Sequence, residues 1–429
     1  LEKTRDDASP LRGEPGGGWP QGHPLPLPEW EWDPGWGPSS PTAGRPDEGR
    51  PGRGRGRGSG RPAVRVATVE AYEELASQVE HTTQQLLRDH HYNTVGNFLR
   101  FHSAYEERAG LGDHDVGRLY REYQPPITDE HHTCVGLGLT LMRQLASLRV
   151  PVPSAGVAAG AAAAAAAAEA SLRDALHLVS CEEAIENPAV YLNEEPSPQT
   201  SEKEHVLVAA RLDIGGRRGL LLLDPGYHVA RVVTVMADGL YPHTGWFTQA
   251  DEPDVRREYM YTLSPDEKYV LWTVRETRGE RQSLSVNLVY IERAYLSAVD
   301  VTERRNIVYN FRTLLARNTK GQLTAGVYFP LAIVSAEGGP ACTIFYTEGT
   351  AAGSRKRRVK IPFQSLLDPA QELGEEQDLA LALCSQQLGL HDDGLEELLT
   401  KVASVMADTA FMQQVLDINS SIEEMSEDN

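Results

Sequence analysis

The chain has 429 residues, of which 40% are hydrophobic and 24% are charged, and its formal net charge is −20. That length allows about two to three domains with a large buried core. Four cysteines are too few for a disulfide scaffold. No apolar run is long enough to predict a membrane span, and no secretory signal opens the chain. We therefore expect a cytoplasmic protein with reduced thiols and no membrane partner.

The negative charge is concentrated at the C-terminal end. Residues 1–62 carry nine basic and nine acidic side chains, whereas residues 366–429 carry 15 acidic side chains and one lysine. Only −6 of the total −20 therefore falls on residues 63–365. Changes in composition predict five segments: a disordered head at 1–62, a helical part at 63–150, a linker at 151–204, an antiparallel β core with one helix at 205–365, and an acidic helical tail at 366–429.

Glycine and proline dominate the head. Residues 1–62 hold 14 of the 38 glycines and 12 of the 27 prolines. Such a sequence cannot bury enough apolar surface to offset the entropy of ordering, which predicts disorder. Its Arg53–Gly58 repeat has a composition that can bind RNA. We interpret this repeat as a weakly constrained tail and expect no nucleic-acid partner.

Three segments of the helical part show helical periodicity. Apolar residues at three-to-four spacing predict a first helix from Ala67 to about Tyr105. A second runs from Asp113 to Tyr123 and is stopped by Pro125 and Pro126. The third runs from Cys134 to Leu148. The alanine run at 155–170 is interpreted as a low-complexity insertion in a surface loop of the linker.

The pattern changes to strands from His205 onward. Short β-branched and aromatic runs between turn signals predict strands at 204–214, 219–224, 228–236, 258–263, 268–276, 283–291, 324–334, 342–348 and 355–363. A helix is expected at about Asp300–Leu315. The tail is helical from Asp378, with an amphipathic helix from Leu395 to Leu416. The predicted fold class is α+β, with a helical N-terminal part, a barrel-like antiparallel core and a helical C-terminal appendage.

Cys134 stands where a reactive thiol would be placed. It follows a polar stretch and opens an apolar-periodic helix. A helix N-terminus and a neighbouring imidazolium both favour the thiolate form of cysteine. The structural explanation of the same residue is an inert, buried thiol.

His205 and Asp224 lie on consecutive predicted strands joined by Gly215 and Gly216, a common two-residue hairpin turn. With that turn, Ile214 pairs with Arg217, and Asp224 lies on the same face as His205 as its diagonal neighbour. The carboxylate could then orient the imidazole and stabilise its charged form. A turn longer by one residue would reverse the faces.

The order of these three residues resembles that of the arylamine N-acetyltransferases, and more broadly that of papain-like and transglutaminase-like thiol enzymes. In the first family a cysteine starts a helix, a histidine lies on a strand, and an Asp-x-Gly on the next strand completes the triad. The matching positions here are Cys134, His205 and Asp224 to Gly226. The resemblance covers about residues 95–345 and implies acetyl-CoA as co-substrate, a small-molecule amine as acceptor and a ping-pong thioester mechanism.

The sequence around the cysteine departs from that family. The family has Arg-Gly-Gly before the cysteine and Glu and Asn after it, whereas this chain has Glu130–Thr133 before and Val135–Gly138 after. Two alternatives therefore stay open. One is another thiol enzyme, such as a peptidase, a deamidase or a transglutaminase-like protein. The other is a catalytically inactive relative that acts as an interaction protein. In each case the acidic tail suits a protein partner or docking on the body.

Other polar clusters are weaker candidates. His131 and His132 are adjacent in the chain and do not have the spacing of zinc ligands, so we expect no metal. They could line the cleft or lie on a wet loop. The basic run Arg355–Arg358 is predicted to be a solvated hairpin, with the phosphates of coenzyme A as an alternative contact. The sequence lacks the Walker A, GxGxxG, HExxH and GxSxG patterns, which removes support for the chemistries they mark.

Overall fold

The computed structural model describes residues 32–33, 63–151, 169–193, 203–252, 255–334, 339–349, 355–368 and 372–426. It confirms the predicted α+β class, with antiparallel sheets between helices at both ends of the described chain. The predicted disorder of the head and the insertion at 155–170 fall largely outside these ranges. Within the ranges, no helix is long and apolar enough to cross a membrane.

The α-helices of the described chain are α1 Val69–Asp89, α2 Val95–Ala109, α3 Val116–Glu122, α4 Cys134–Leu145, α5 Pro188–Tyr191, α6 Arg304–Val308, α7 Phe363–Leu367, α8 Glu375–Gln387, α9 Gly394–Ala407 and α10 Thr409–Ser426. A short 3₁₀ turn occupies Leu172–Asp174. A π-helical segment, Val299–Glu303, leads directly into α6.

The strands are β1 Trp32–Asp33, β2 Val64–Val66, β3 Tyr92–Asn93, β4 Arg149–Pro151, β5 Glu169–Ser171, β6 His177–Glu182, β7 His205–Ile214, β8 Arg217–Leu223, β9 Val233–Met236, β10 Phe247–Glu252, β11 Val255–Leu263, β12 Tyr269–Arg278, β13 Arg281–Tyr290, β14 Ala294–Tyr295, β15 Phe311–Arg317, β16 Leu323–Pro330, β17 Ala341–Glu348 and β18 Arg355–Pro362.

Two sheets form the β core. The larger has the order β10-β11-β12-β13-β6-β7-β8-β9, and β2 adds to β7 in parallel. This sheet curls into a half-barrel, so that β9 comes close to β11. The smaller sheet has the order β18-β17-β16-β15-β3. Helix α4 packs against β7 of the larger sheet, which places the start of α4 beside the start of that strand.

The predicted helix from Ala67 to Tyr105 is wrong in its continuity. It is two helices, α1 and α2, separated by β3, which pairs with Leu314 and Leu315 of β15. The side chain of Asn93 then accepts hydrogen bonds from the first backbone amides of α2, at 3.0 Å each. Apolar spacing within α1 and α2 could not reveal a pairing with residues more than 200 positions away.

The predicted helix at Asp300–Leu315 is also too long. Helix α6 ends at Val308, and residues 311–317 form β15 instead. The alternation of buried and half-buried side chains along β15 follows from its pairing with β16 and β3. Helical and strand periodicities are hard to separate in so short an apolar run.

The range 151–204 is more than a linker, which corrects the segment boundaries. It contains β6, whose six residues are all buried between β13 and β7 in the larger sheet. The β core therefore begins upstream of His205. The buried side chains of β6 leave no alternating polar pattern, as is common for strands covered on both faces.

The tail helices dock on the body through their apolar stripe. The predicted helix from Leu395 to Leu416 is two helices, α9 and α10, broken at Asp408. The Asp408 carboxylate accepts from the backbone amide of Phe411 at 3.1 Å. The Phe411 ring packs within 6.0 Å of Phe98 and Phe101 on α2. Within residues 372–426, most of the acidic side chains are exposed.

Candidate active site

Cys134 begins helix α4, as its sequence position predicts. The preceding residue, Thr133, caps the helix, because its hydroxyl accepts a hydrogen bond from the backbone amide of Val135 at 3.3 Å. Threonine is a preferred residue at this position, where the first amides of a helix have no partner within the helix. Cys134 is only 2% exposed, yet it lines a cavity of about 990 Å³.

The predicted hairpin register is confirmed. Gly215 and Gly216 form the turn with φ of 58° and 86°, and Ile214 pairs with Arg217. The pairing continues to the end of β8, so that Asp224 follows directly on the side of His205. Nε2 of His205 lies 2.9 Å from Oδ1 of Asp224. Both side chains are buried.

The imidazole of His205 lies between Asp224 and Cys134. Burial alone would lower the pKa of His205, but the charge and hydrogen bond of Asp224 raise it, and a hydrogen bond with the Cys134 thiol raises it further. The net result is a pKa well above the usual value, so the imidazolium form is favoured. Because Nε2 is occupied by Asp224, Nδ1 remains for the thiol. The structure thus brings together all three residues that the sequence pattern singled out.

Gly226 allows this close approach. A Cβ atom at this position would lie 2.6 Å from Cβ of Cys134 and 2.6 Å from Cε1 of His205. Real Cβ atoms do not tolerate such contacts, so only hydrogen fits between the thiol-bearing residue and the imidazole. The glycine of the Asp-x-Gly sequence therefore has a steric role in the geometry of the site.

Tyr227 contacts both the imidazole of His205 and the carboxylate of Asp224. Its ring packs edge-on against His205, with 4.6 Å between centroids. Its backbone amide donates to Oδ1 of Asp224 at 2.9 Å, and its hydroxyl donates to Glu183 at 2.6 Å. The ring of Trp272 packs edge-on against that of Tyr227, with 5.0 Å between the ring centroids. Tyr227 therefore helps to fix the orientation of both the Asp224 carboxylate and the His205 imidazole.

The cavity above these residues lies between the two sheets. One part of its wall is aromatic and exposed, formed by Tyr309, Phe311 and Tyr328 from the smaller sheet and its approach. Another part is cationic. It is formed by Arg257, Arg317, Lys320, Lys356 and Arg358.

Lys356 and Arg317 differ in whether a carboxylate of the protein pairs with them. Lys356 is paired with Glu252. Arg317 donates to the carbonyl of Gly321 at 2.8 Å, and its Nε has no hydrogen-bond partner among the described residues. Burial lowers the pKa of Arg317 to about 9. A half-buried guanidinium with an unused donor is suited to an anionic group on a ligand.

The adjacent histidines do not belong to this cavity. His132 is 1% exposed, and its ring lies 5.1 Å from that of His90. Burial, followed by the proximity of His90, lowers the pKa of His132 to about 4. His131 is half-buried, and its Nδ1 lies 2.8 Å from the Thr128 hydroxyl. Among the described residues, no three metal-ligating side chains converge.

The basic run forms β18, at the edge of the smaller sheet. Successive side chains of a strand point to opposite faces of the sheet. Lys356 and Arg358 therefore line the cavity, whereas the Arg357 guanidinium on the other face pairs with the Glu348 carboxylate at 3.4 Å. The predicted hairpin position is confirmed, and half of the run lines the candidate active site.

Sequence reasoning missed the residues that support the triad from a distance. Thr133 carried a usable signal, because a threonine before an apolar-periodic segment is typical of a helix start. Glu303 and Arg317 carried no such sequence signal, since their roles depend on contacts made by the folded chain.

No family model, no curated protein and no solved structure matches this chain. The chemistry of the site has to follow from its own residues, which form a thiol, imidazole and carboxylate array at the base of a cavity.

Proposed function

We propose that this protein is a cysteine-dependent acyltransferase, in which Cys134 takes an acetyl group from acetyl-CoA and passes it to an arylamine or a related amine. The observation that carries the proposal is the alignment of Asp224, His205 and Cys134 at the base of the cavity. An imidazole held between a carboxylate and a thiol at a helix N-terminus is suited to nucleophilic catalysis.

The proposed reaction has two steps. In the first, the His205 imidazolium already holds the proton of the Cys134 thiol, and the Cys134 thiolate attacks the acetyl carbonyl. The thiolate of coenzyme A leaves and takes the proton, and a thioester remains on Cys134. In the second, the amine attacks the thioester, gives its proton to His205, and leaves as the amide while the cysteine is regenerated. Asp224 stabilises the imidazolium in both steps, and ping-pong kinetics follow.

The walls of the cavity support this choice of substrates. The cationic side chains of Arg317, Lys320 and Arg358 suit the phosphates of coenzyme A. The rings of Tyr309 and Phe311 offer faces against which an aromatic amine can stack. The proposed chemistry uses acetyl-CoA as a co-substrate and needs no metal. For the acidic outer face of the tail we propose a protein partner with a basic surface.

A second candidate is a thiol enzyme that acts on amides, such as a peptidase, a deamidase or a transglutaminase-like protein. The same array would attack an amide carbonyl, with water or another amine completing the reaction. The sequence Glu130–Thr133 favours it, because these residues differ from those that precede the cysteine in arylamine N-acetyltransferases. The third candidate, an inactive relative that binds other proteins, predicts that Cys134 is unreactive.

One experiment separates these candidates. The protein is incubated with acetyl-CoA and digested, and the mass of the Cys134 peptide is measured. We expect an increase of about 42 Da, the mass of an acetyl group replacing hydrogen. Cys134→Ala should lose the adduct and all amine acetylation, whereas Cys384→Ala, which removes another buried thiol, should keep both. Absence of the adduct in wild type, together with activity in Cys134→Ala, contradicts the proposal. Turnover of amides in place of acetyl-CoA favours the second candidate.

A further inference from the structure

Glu303 is a buried carboxyl at the back of the candidate active site. It ends the π-helical segment Val299–Glu303 and is 0% exposed. Its Oε1 accepts from the side-chain amide of Asn97 on α2 at 2.5 Å, and its Oε2 accepts from the hydroxyl of Thr133. Single π-helical turns within helices occur often at functional sites.

Thr133 connects this carboxyl to the nucleophile. The same hydroxyl that donates to Glu303 accepts the backbone amide of Val135. Glu303 therefore fixes the orientation of the cap, and the cap fixes the first turn of α4, on which Cys134 lies. The N-terminus of α4 would stabilise a Cys134 thiolate, and an ionised Glu303 places a negative charge beside that same N-terminus. Two like charges at one site disfavour each other.

We infer that Glu303 is a positioning residue for Cys134, which anchors the first turn of α4 through Thr133 and, when it is ionised, opposes formation of the Cys134 thiolate. The inference rests on the thiol nucleophile of the proposed function but does not depend on acetyl-CoA or on any acceptor. It makes the reactivity of the site responsive to the protonation of a residue outside the triad.

The surroundings of Glu303 support titration near neutral pH. Burial raises its pKa to about 7, and the hydrogen bonds from Thr133 and Asn97 oppose that rise. Tyr92 on β3 interacts electrostatically with Glu303 and also with Cys134, Glu183 and Arg312. Arg304 follows Glu303 directly in the chain. Burial raises the pKa of Tyr92, the charges of Cys134, Glu303 and Glu183 raise it further, and Arg312 lowers it, so Cys134 and Glu303 both act on one phenol.

The test measures the rate at which iodoacetamide alkylates Cys134, because this readout requires no substrate. Peptide mapping follows Cys134 in the full-length protein between about pH 5.5 and pH 8. Glu303→Gln keeps the shape of the side chain and removes its charge, and with one accepting oxygen and one donor it resembles the protonated carboxyl. We expect equal rates at low pH, where Glu303 is protonated, and a rate three- to tenfold above wild type at about pH 8. Glu80→Gln, which neutralises a carboxylate that accepts from the Val232 amide, is the matched control.

Two further variants separate positioning from charge. Thr133→Val removes the anchor and should slow alkylation at every pH, and Thr133→Ser, which restores the hydroxyl, should recover the wild-type profile. A rate ratio between Glu303→Gln and wild type that stays constant across pH would overturn the inference. If Cys134 alkylates with the expected pH profile but forms no acetyl adduct, the inference stands and acetyl transfer fails.

Discussion

Gly226 offers a sharp test of the geometry of the site. Replacing it with alanine adds one methyl group between Cys134 and His205. The ideal Cβ position lies 2.6 Å from Cβ of Cys134, 2.6 Å from Cε1 of His205 and 3.0 Å from Cα of Cys134. Gly226 is not among the glycines with positive φ, so the change is steric and does not strain the backbone.

The size of the effect follows from these distances. Carbon atoms in contact prefer a separation of about 3.5–4.0 Å, so the methyl group must push the thiol-bearing residue and the imidazole apart by about 1 Å. Overpacking of this kind costs about 1–3 kcal/mol of stability. A misplacement of about 1 Å in a reacting group can lower a rate by about 10²-fold. We therefore expect Gly226→Ala to fold and to lose about two orders of magnitude in Cys134 reactivity.

The assay again follows alkylation of Cys134 at neutral pH, with thermal unfolding measured on the same samples. Gly245→Ala is the matched control, because a Cβ there meets no atom within 4 Å and the backbone φ is not positive. It should react as wild type does and unfold at the same temperature or slightly above it.

A folded Gly226→Ala protein that alkylates as fast as Gly245→Ala would refute this reasoning. Such a result would mean that Cys134 reacts independently of His205, and that the short distances around Gly226 do not matter for the chemistry.

Three further outcomes are expected. Asp224→Asn should lower acetyl transfer by a factor on the order of 10³, measured by steady-state kinetics, because a neutral amide cannot stabilise the imidazolium. Chemical denaturation of wild type should show a free energy of unfolding that falls by about 3 kcal/mol between about pH 4.5 and pH 7 relative to Glu303→Gln, since the Glu303 carboxyl ionises in the unfolded chain first. The double variant Lys320→Gln with Arg358→Gln should raise KM for acetyl-CoA about tenfold at low salt and less at high salt; an unchanged KM would argue against a phosphate contact.

Local signals in the sequence predicted much of the site. The Gly215-Gly216 pair gave the turn, the turn set the register, and the register put His205 and Asp224 on one face. An apolar-periodic segment after a polar stretch gave the start of α4 at Cys134. Each of these signals acts over a few residues, where backbone preferences and hydrogen bonds are decided by neighbours along the chain.

The sequence failed where a partner lay far along the chain. β3 interrupts a helical pattern because it pairs with β15. β6 shows no alternation of apolar and polar residues, because all six of its residues are buried. Glu303 meets Thr133 across 170 positions. No periodicity within either segment reports that contact.

The sequence by itself determined the register of the hairpin and the α+β class, and it indicated that Cys134, His205 and Asp224 could form one array. The tertiary structure decided how these parts meet: that Gly226 separates the thiol from the imidazole, that a second sheet brings aromatic and cationic side chains over them, and that a buried carboxyl lies behind the helix cap. The physical reason is that turns, caps and alternation are local free-energy preferences. The burial of Glu303 and Arg317, in contrast, exists only after distant segments have excluded water together.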